Sequence, residues 1–154
     1  MIYTSTIDFV KRATTVLAKG PVALVFAEDD VEIDTTLRHH LQMGFANVVV
    51  FMPDAFSLPD DLTGKVHRVG HDILSDGPLE DQVNLIIAAA PDIWIYYCYN
   101  AEYLFFPFCE TRTIGEMIAF HAEERRDSML TYVVDLYANN LDTHPTAVSL
   151  EDAH

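Results

Sequence analysis

The sequence has few cysteines, no long apolar segment and little positive charge, and each shortage excludes a class of protein. Its 2 cysteines, Cys98 and Cys109, lack the close spacing of a metal site. Cys98 lies in an apolar run, where we expect a buried free thiol. No apolar segment approaches the ~18 residues of a membrane span, and the first residues do not resemble a signal peptide. We therefore expect a cytoplasmic protein without a membrane span.

The charge balance excludes a second class. The chain has 24 Asp and Glu against 9 Lys and Arg, a formal net charge of −15 with neutral histidines. A surface this acidic repels phosphate backbones, so we expect no nucleic-acid partner. A protein with this charge that binds an anionic ligand needs a local cation, a bound metal or backbone N–H groups to offset its own field.

Helical patterns alternate with continuous apolar runs along the chain. The predicted strands are 22–27, 47–52, 65–70, 93–99 and 129–137. The predicted helices begin at a capping box of Ser5 and Asp8, near Thr35, before Gln82, and at a capping box of Thr113 and Glu116. Apolar runs without alternation are typical of strands covered on both faces. The pattern predicts an α/β fold, an open and mainly parallel sheet with helices on both faces.

Two details of this sheet and the domain division are further expectations. We expect 93–99 to be a central strand buried on both faces, and the more polar 65–70 to lie near an edge. The length of 154 residues suits one domain over residues 1–138. Residues 139–154 show no closing element, and we expect them to be the tail of a chain truncated from a longer protein.

Two polar clusters follow predicted strands, at the points where those strands end. Glu28-Asp29-Asp30 follows 22–27, and Asn100-Ala101-Glu102 follows 93–99. Ligands of open parallel sheets bind outside the carboxyl ends of the strands, near the point where strand order reverses. The hypothesis that follows is geometric: Glu28 and Glu102 open onto one shared crevice along the same edge of the sheet.

A phosphoacceptor receiver domain is one alternative for the acidic segment "VALVFAEDD". That chemistry needs a lysine after the fifth strand. The only lysines are Lys11, Lys19 and Lys65, which all precede the predicted fifth strand. The receiver alternative is excluded by this absence.

A second interpretation comes from three segments in order. "DDVEIDTTLRHHLQMGFANVVVF" resembles the opening of glycosyltransferase family 2 proteins, where an acidic segment leads into a "W..YHL.LG" helix and a second strand. "QVNLIIAAAPDIWIYYCYNAEYL" is similar to their "Q…A…W…DADEFL" pattern, and "TIGEMIAFHAEERRDSMLTYVVDLY" to the helix and strand that follow. The residues in register are Gln82, Trp94, Glu102 and Leu104, with Tyr103 in place of phenylalanine. The resemblance covers Val22 to Tyr137.

The resemblance implies a GT-A-type, Rossmann-like half that binds a nucleotide-sugar and transfers the sugar to an acceptor. In the family, the carboxylates of a DxD motif hold Mn²⁺ or Mg²⁺ against the diphosphate, because a hard cation takes oxygen ligands and neutralises the leaving group. Here Tyr99 and Ala101 occupy the two DxD positions, which puts the metal in doubt, and Glu102 is the remaining candidate metal ligand. The candidate ligand-binding residues are Glu28, Asp29, Asp54, Asn100 and Glu102. The family's catalytic base would lie beyond Tyr137.

Simpler roles remain open for these residues. Glu102 could be a solvated side chain, Asn100 could be a turn residue with positive φ, and Glu28-Asp29-Asp30 could cap the following helix. A non-catalytic binding or assembly module with a degenerate GT-A fold is the alternative to sugar transfer. In both cases the sugar, the acceptor and the oligomeric state are not determined by the sequence.

Overall fold

Five parallel strands form one open sheet in the computed structural model, which describes residues 1–154. In chain order the elements are β1 (Ile2–Tyr3), α1 (Thr6–Arg12), β2 (Val22–Phe26), α2 (Ile33–Gln42), β3 (Asn47–Met52), β4 (His67–Gly70), α3 (Leu79–Ala89), β5 (Ile95–Tyr99) and α4 (Ile114–Glu123). Every adjacent pair of strands is parallel. The predicted α/β fold is confirmed.

The strand order creates one reversal point. The order is β1-β4-β3-β2-β5, so the chain moves outward from β2 to β3 and β4 and then returns to the other side of β2. β2 pairs with β3 from Val22↔Asn47 to Phe26↔Phe51. It pairs with β5 from Val22↔Ile95 to Phe26↔Tyr99. The carboxyl ends of β2 and β5 therefore flank the topological switch point of the sheet.

Helices cover both faces of the sheet, as the apolar runs predict. On one face, Phe9 of α1 and Ile86 of α3 pack in a core cluster with Leu24 and Phe26 of β2. On the other face, residues from α2 and the start of α4 pack with Ala23 and Val25. All five residues of β2 are buried, because successive side chains of a strand point to opposite covered faces.

The predicted position of the strand over 93–99 is wrong. It forms β5, which begins only at Ile95 and pairs with β2 alone, so it is an edge strand. Of its five residues only Cys98 is buried, and Tyr97 is 53% exposed. An aromatic run resembles a doubly covered strand in the sequence, but tyrosine tolerates an edge because its ring is apolar and its hydroxyl is polar.

The strand over 65–70 was expected near an edge, and it forms β4, which is second from the edge, between β3 and β1. The edge itself is β1, whose two residues are too few to give a periodic signal.

Helix α1 begins at its predicted cap, where Ser5 Oγ accepts from the Asp8 N–H at 3.2 Å. It ends at Arg12, and the residues up to 18 continue as turns.

The chain divides into two units, Met1–Ile118 and Ala119–His154. In the second unit the strand predicted over Met129–Tyr137 is wrong, because no strand forms there. Strand-favouring residues make a strand only where a neighbour completes the hydrogen-bond ladder. Within this unit Ala138 and Ala153 form an isolated antiparallel bridge. The expected domain boundary after residue 138 stays a prediction. None of the helices combines the length and apolarity needed to cross a bilayer.

Candidate functional site at the strand switch

The carboxyl ends of β2 and β5 bring the two polar clusters of the sequence together. Phe26 and Tyr99 are paired in register at the end of the ladder, and the Asn100 N–H donates to the Phe26 carbonyl at 3.0 Å. The Asn100 side-chain oxygen, Oδ1, then accepts from the Glu28 N–H at 2.9 Å. Glu28, Asn100 and Glu102 thus lie along the same edge of the sheet, at its switch point.

Asn100 ties the loop after β2 to the end of β5. Its Nδ2 donates to Asp29 Oδ1 at 2.6 Å and to the Val31 carbonyl at 2.9 Å. Asp29 Oδ1 also accepts from the Val31 N–H at 3.0 Å. Donors and acceptors of the Asn100 amide are therefore engaged within the protein. A buried or half-buried amide with all its groups paired is rigid, so the loop from Glu28 to Val31 has a fixed geometry.

This geometry contradicts the capping role of the acidic cluster, and it places Asn100 in the turn after β5 but without a positive φ. Helix α2 has Glu32 as its N-cap residue, with φ of 53° and no side-chain cap hydrogen bond. The acidic cluster from Glu28 to Asp30 therefore does not cap that helix. The left-handed residue of the turn after β5 is Ala101, with φ of 59°, and Asn100 is not among the residues with positive φ.

Glu102 is engaged with the backbone of β5. Its Oε2 accepts from the Tyr99 N–H at 2.9 Å. Alternate residues of a parallel strand point their backbone groups to opposite sides, and since the Asn100 N–H faces β2, the Tyr99 N–H faces the open edge. Glu102 therefore satisfies a donor that the edge position leaves without a ladder partner. In the same turn, the Ala101 N–H donates to Thr36 Oγ1 of α2 at 2.9 Å.

The electrostatic environment at this edge is negative. Burial raises the pKa of the half-buried Tyr99 phenol, and the carboxylates of Glu28, Glu80 and Glu102 raise it further. Glu80 is in the first turn of α3 and was not among the predicted site residues. A signal for it was present: the amino end of a helix that follows a parallel strand lies at the carboxyl edge of the sheet.

The residues at this edge do not fit a metal site built by the protein. No three His, Cys, Asp or Glu side chains are grouped so that they could hold an ion. The positions of the two DxD carboxylates are Tyr99 and Ala101, and one oxygen of Glu102 already accepts a backbone hydrogen bond. Proteins usually hold Mg²⁺ through one or two carboxylates together with water and ligand phosphates, so these side chains could at most supplement an ion that a phosphate ligand already holds.

Asp54 lies at the same edge, after β3 and one strand away from the switch point. Its side chain is 95% exposed and pairs with Arg68, whose Nη2 lies 3.1 Å from Asp54 Oδ1. Arg68 Nη2 also donates to the Pro53 carbonyl at 3.1 Å. Arg68, which the sequence did not indicate, is the cationic partner of Asp54.

No protein-family model, curated protein or solved structure matches this chain. The resemblance to glycosyltransferase family 2 therefore depends on the quoted segments, and the site depends on the geometry at the strand switch.

A buried histidine beside the switch point is a further residue that the sequence did not single out. His71 follows β4 directly and is only 5% exposed. Its ring stands edge-on to Phe26 and Phe51, with centroids 6.1 and 6.2 Å away. Its Nε2 is buried and has no hydrogen-bond partner in the protein. An unpaired buried nitrogen costs about 1–3 kcal/mol, which a ligand or an ordered water would offset.

Proposed function

We propose that this chain is a glycosyltransferase-like domain that binds a nucleotide-diphosphate sugar at the carboxyl ends of β2 and β5, for transfer of the sugar to an acceptor. The observation that supports the proposal is the meeting of Glu28 and Asn100 at the topological switch point. In open parallel sheets this is where ligands bind. A cytoplasmic location is part of the same proposal.

The fixed loop after β2 supports a binding role. Asn100 holds the segment from Glu28 to Val31 through three side-chain hydrogen bonds. The carboxylate of Glu28 makes no hydrogen bond or ion pair of its own, so it is free to accept from ligand hydroxyls. The unpaired Nε2 of His71 would gain a partner from a ligand at this edge.

The negative field at the edge opposes a bare diphosphate. Glu28, Glu80 and Glu102 all act on Tyr99, and the chain carries a net charge of −15. We therefore propose that Mn²⁺ or Mg²⁺ arrives bound to the diphosphate, because the side chains present do not form a metal site.

A non-catalytic binding or assembly module is the second candidate. The observation that favours it is the engagement of the residues at the DxD segment. The Asn100 amide and one Glu102 oxygen form internal hydrogen bonds, and Tyr99 and Ala101 offer no carboxylate. In such a module the polar cluster stabilises the turn after β5 and does not contact a ligand.

A titration distinguishes the two candidates. UDP-, GDP- and ADP-sugars are added to the 154-residue chain with and without Mn²⁺, and binding is followed by NMR chemical shifts and by calorimetry. We expect nucleotide binding that strengthens with Mn²⁺ and that is lost in His71→Leu, which remains folded. Asn84→Ala, on the exposed side of α3, is the matched control and should bind as the wild type does. A folded chain that binds none of these nucleotides supports the module instead.

A further inference from the structure

A cavity of about 440 Å³ lies beside the switch point, between the residues that follow β2 and those that follow β3. One wall is formed by residues 30–34, at the start of α2, and the other by residues 55–59. Asp30 lines this cavity, and its sequence neighbour Asp29 accepts a hydrogen bond from Asn100. The cavity is therefore adjacent to the proposed nucleotide-sugar site at the carboxyl ends of β2 and β5. A volume of this size accommodates a single sugar ring with its hydration.

The apolar wall of the cavity is held in place by the core. Ile33 is buried, and Phe56 and Leu58 are partly buried and pack against the core cluster beneath α2. The Phe56 N–H donates to the Pro53 carbonyl at 3.2 Å, which fixes the turn that presents the ring. A half-buried aromatic ring in a cavity wall offers an apolar surface to the C–H groups of a ligand.

The charged groups of the cavity are two carboxylates, and the Ser57 hydroxyl is the one lining side chain that can also donate. The Asp30 carboxylate makes no hydrogen bond or ion pair within the protein, unlike Asp29 and Asp54, whose carboxylates do. Asp34 reaches only Arg38, with 3.8 Å between Asp34 Oδ2 and Arg38 Nε. Ionised carboxylates accept hydrogen bonds and donate none. The Asp30 carboxylate is therefore a free acceptor, the Asp34 carboxylate is paired with Arg38, and no Lys or Arg lines the cavity.

These features select the chemistry of the ligand. A phosphorylated ligand is disfavoured because it would meet carboxylates without a lining cation. A purely apolar ligand would leave the Asp30 carboxylate desolvated and unpaired. A neutral polyhydroxylated ring satisfies both walls, since its hydroxyls donate to the carboxylates while its C–H face lies on Phe56.

We infer that this cavity is a binding subsite for a neutral pyranose ring. The inference rests on the proposed function for the role of that ring, which would be the sugar acceptor placed next to the nucleotide-sugar. Asp30 and Asp34 accept from vicinal hydroxyls, and Phe56 supplies the stacking surface. Ligands of this size with few apolar atoms bind weakly, so a dissociation constant in the millimolar range is expected.

The test uses methyl glycosides of glucose, galactose and mannose, together with N-acetylglucosamine, added to the full chain. Saturation-transfer NMR detects the bound ring, and amide shifts locate it. We expect at least one of these rings to bind at residues 30–34 and 55–59, and glucose 6-phosphate to bind more weakly. Phe56→Ala should weaken binding by about tenfold, and Asp30→Asn by about threefold to tenfold.

The controls are exposed residues outside the cavity. Phe120→Ala and Asp92→Asn should leave binding unchanged. Asp30 is exposed, so Asp30→Asn keeps the inference testable even where Phe56→Ala lowers stability. A folded chain that binds none of the neutral rings overturns the inference. Binding of glucosamine without any neutral glycoside also overturns it, because the cavity would then select a cation.

The same samples are titrated with the UDP-, GDP- and ADP-sugars, so that failure of this inference and failure of the proposed function can be told apart. Nucleotide binding without glycoside binding leaves the proposed function standing and removes this inference. Glycoside binding at Phe56 without nucleotide binding leaves a sugar-binding cavity and removes the nucleotide-sugar proposal.

Discussion

Asn100 Oδ1 accepts the backbone N–H of Glu28 at 2.9 Å, although the two residues are 72 positions apart. This hydrogen bond joins the ends of β2 and β5 at the reversal point of the sheet. It means that the polar residue after β5 has a structural function, whether or not a ligand binds beside it. The contribution of this hydrogen bond to stability can therefore be measured separately from ligand binding.

Asn100→Ala should lower the free energy of unfolding by about 2 kcal/mol. The variant removes three hydrogen bonds of about 1 kcal/mol each, discounted because water can replace part of them in a half-buried site. Urea unfolding at neutral pH measures the change. The matched control Asn84→Ala, on an exposed helix face, should change stability by less than about 0.5 kcal/mol. Equal stability of Asn100→Ala and the wild type would show that the side-chain hydrogen bonds of Asn100 do not stabilise the fold.

Ala101→Gly should stabilise the protein by about 1 kcal/mol. Ala101 adopts φ of 59°, a left-handed conformation that costs about 1–2 kcal/mol for a residue with a Cβ atom and almost nothing for glycine. Part of the gain is offset by the greater freedom of glycine in the unfolded chain. Thermal and urea unfolding measure the change. The control Ala88→Gly, in α3, should instead destabilise by about 1 kcal/mol, and a similar loss for Ala101→Gly would show that the turn is not strained.

His40 should make the protein sensitive to mild acid. Its ring is fully buried, Nδ1 donates to the Thr36 carbonyl at 2.8 Å, and burial lowers the pKa of His40 to about 4. An unfolded histidine titrates near 6.5, so only the unfolded state takes up the proton as pH falls from about 6.5 to about 4. Stability is complete above this window and decreases through it, by about 2 kcal/mol between pH 7 and pH 5.

Urea unfolding of the wild type and of His40→Gln at pH 7 and pH 5 checks this dependence. The glutamine variant should lose about 2 kcal/mol less on acidification, since the side chain at position 40 then no longer titrates. His144→Gln, whose side chain makes no hydrogen bond, is the control and should keep the wild-type dependence. If His40→Gln loses as much stability as the wild type between pH 7 and pH 5, other groups cause the pH dependence.

Cys98 should be unreactive in the folded protein. Burial raises the pKa of its thiol, and the nearby carboxylate of Glu102 adds to this, so the reactive thiolate is scarce. Cys109 is only partly buried and should be the thiol that iodoacetamide modifies. Peptide mass spectrometry after timed labelling should find Cys98 modified at least about tenfold more slowly than Cys109 until urea is added. In Cys109→Ser, the folded chain should take up almost no label, and rapid labelling there would mean that β5 opens readily.

Much of the architecture follows from local sequence signals. The unbroken apolar run of β2, the capping boxes of α1 and α4 and the apolar periodicity of α3 predict an α/β fold with a parallel sheet. These signals are readable because caps and periodicity involve residues within a few positions of each other. The same reasoning places polar clusters at strand ends, and hence at one edge of a parallel sheet.

Tertiary structure alone decided the strand order and, with it, the chemistry of the site. An apolar run predicts a strand but does not say whether it has one neighbour or two, so β5 was expected in the centre and lies at the edge. For the same reason the run over 129–137 favours a strand and forms none. The edge position exposes the Tyr99 N–H, and one carboxylate oxygen of Glu102, the candidate metal ligand, accepts a hydrogen bond from it. Pairings across 70 or more positions arise from the cooperative packing of the whole sheet, and no local pattern encodes them.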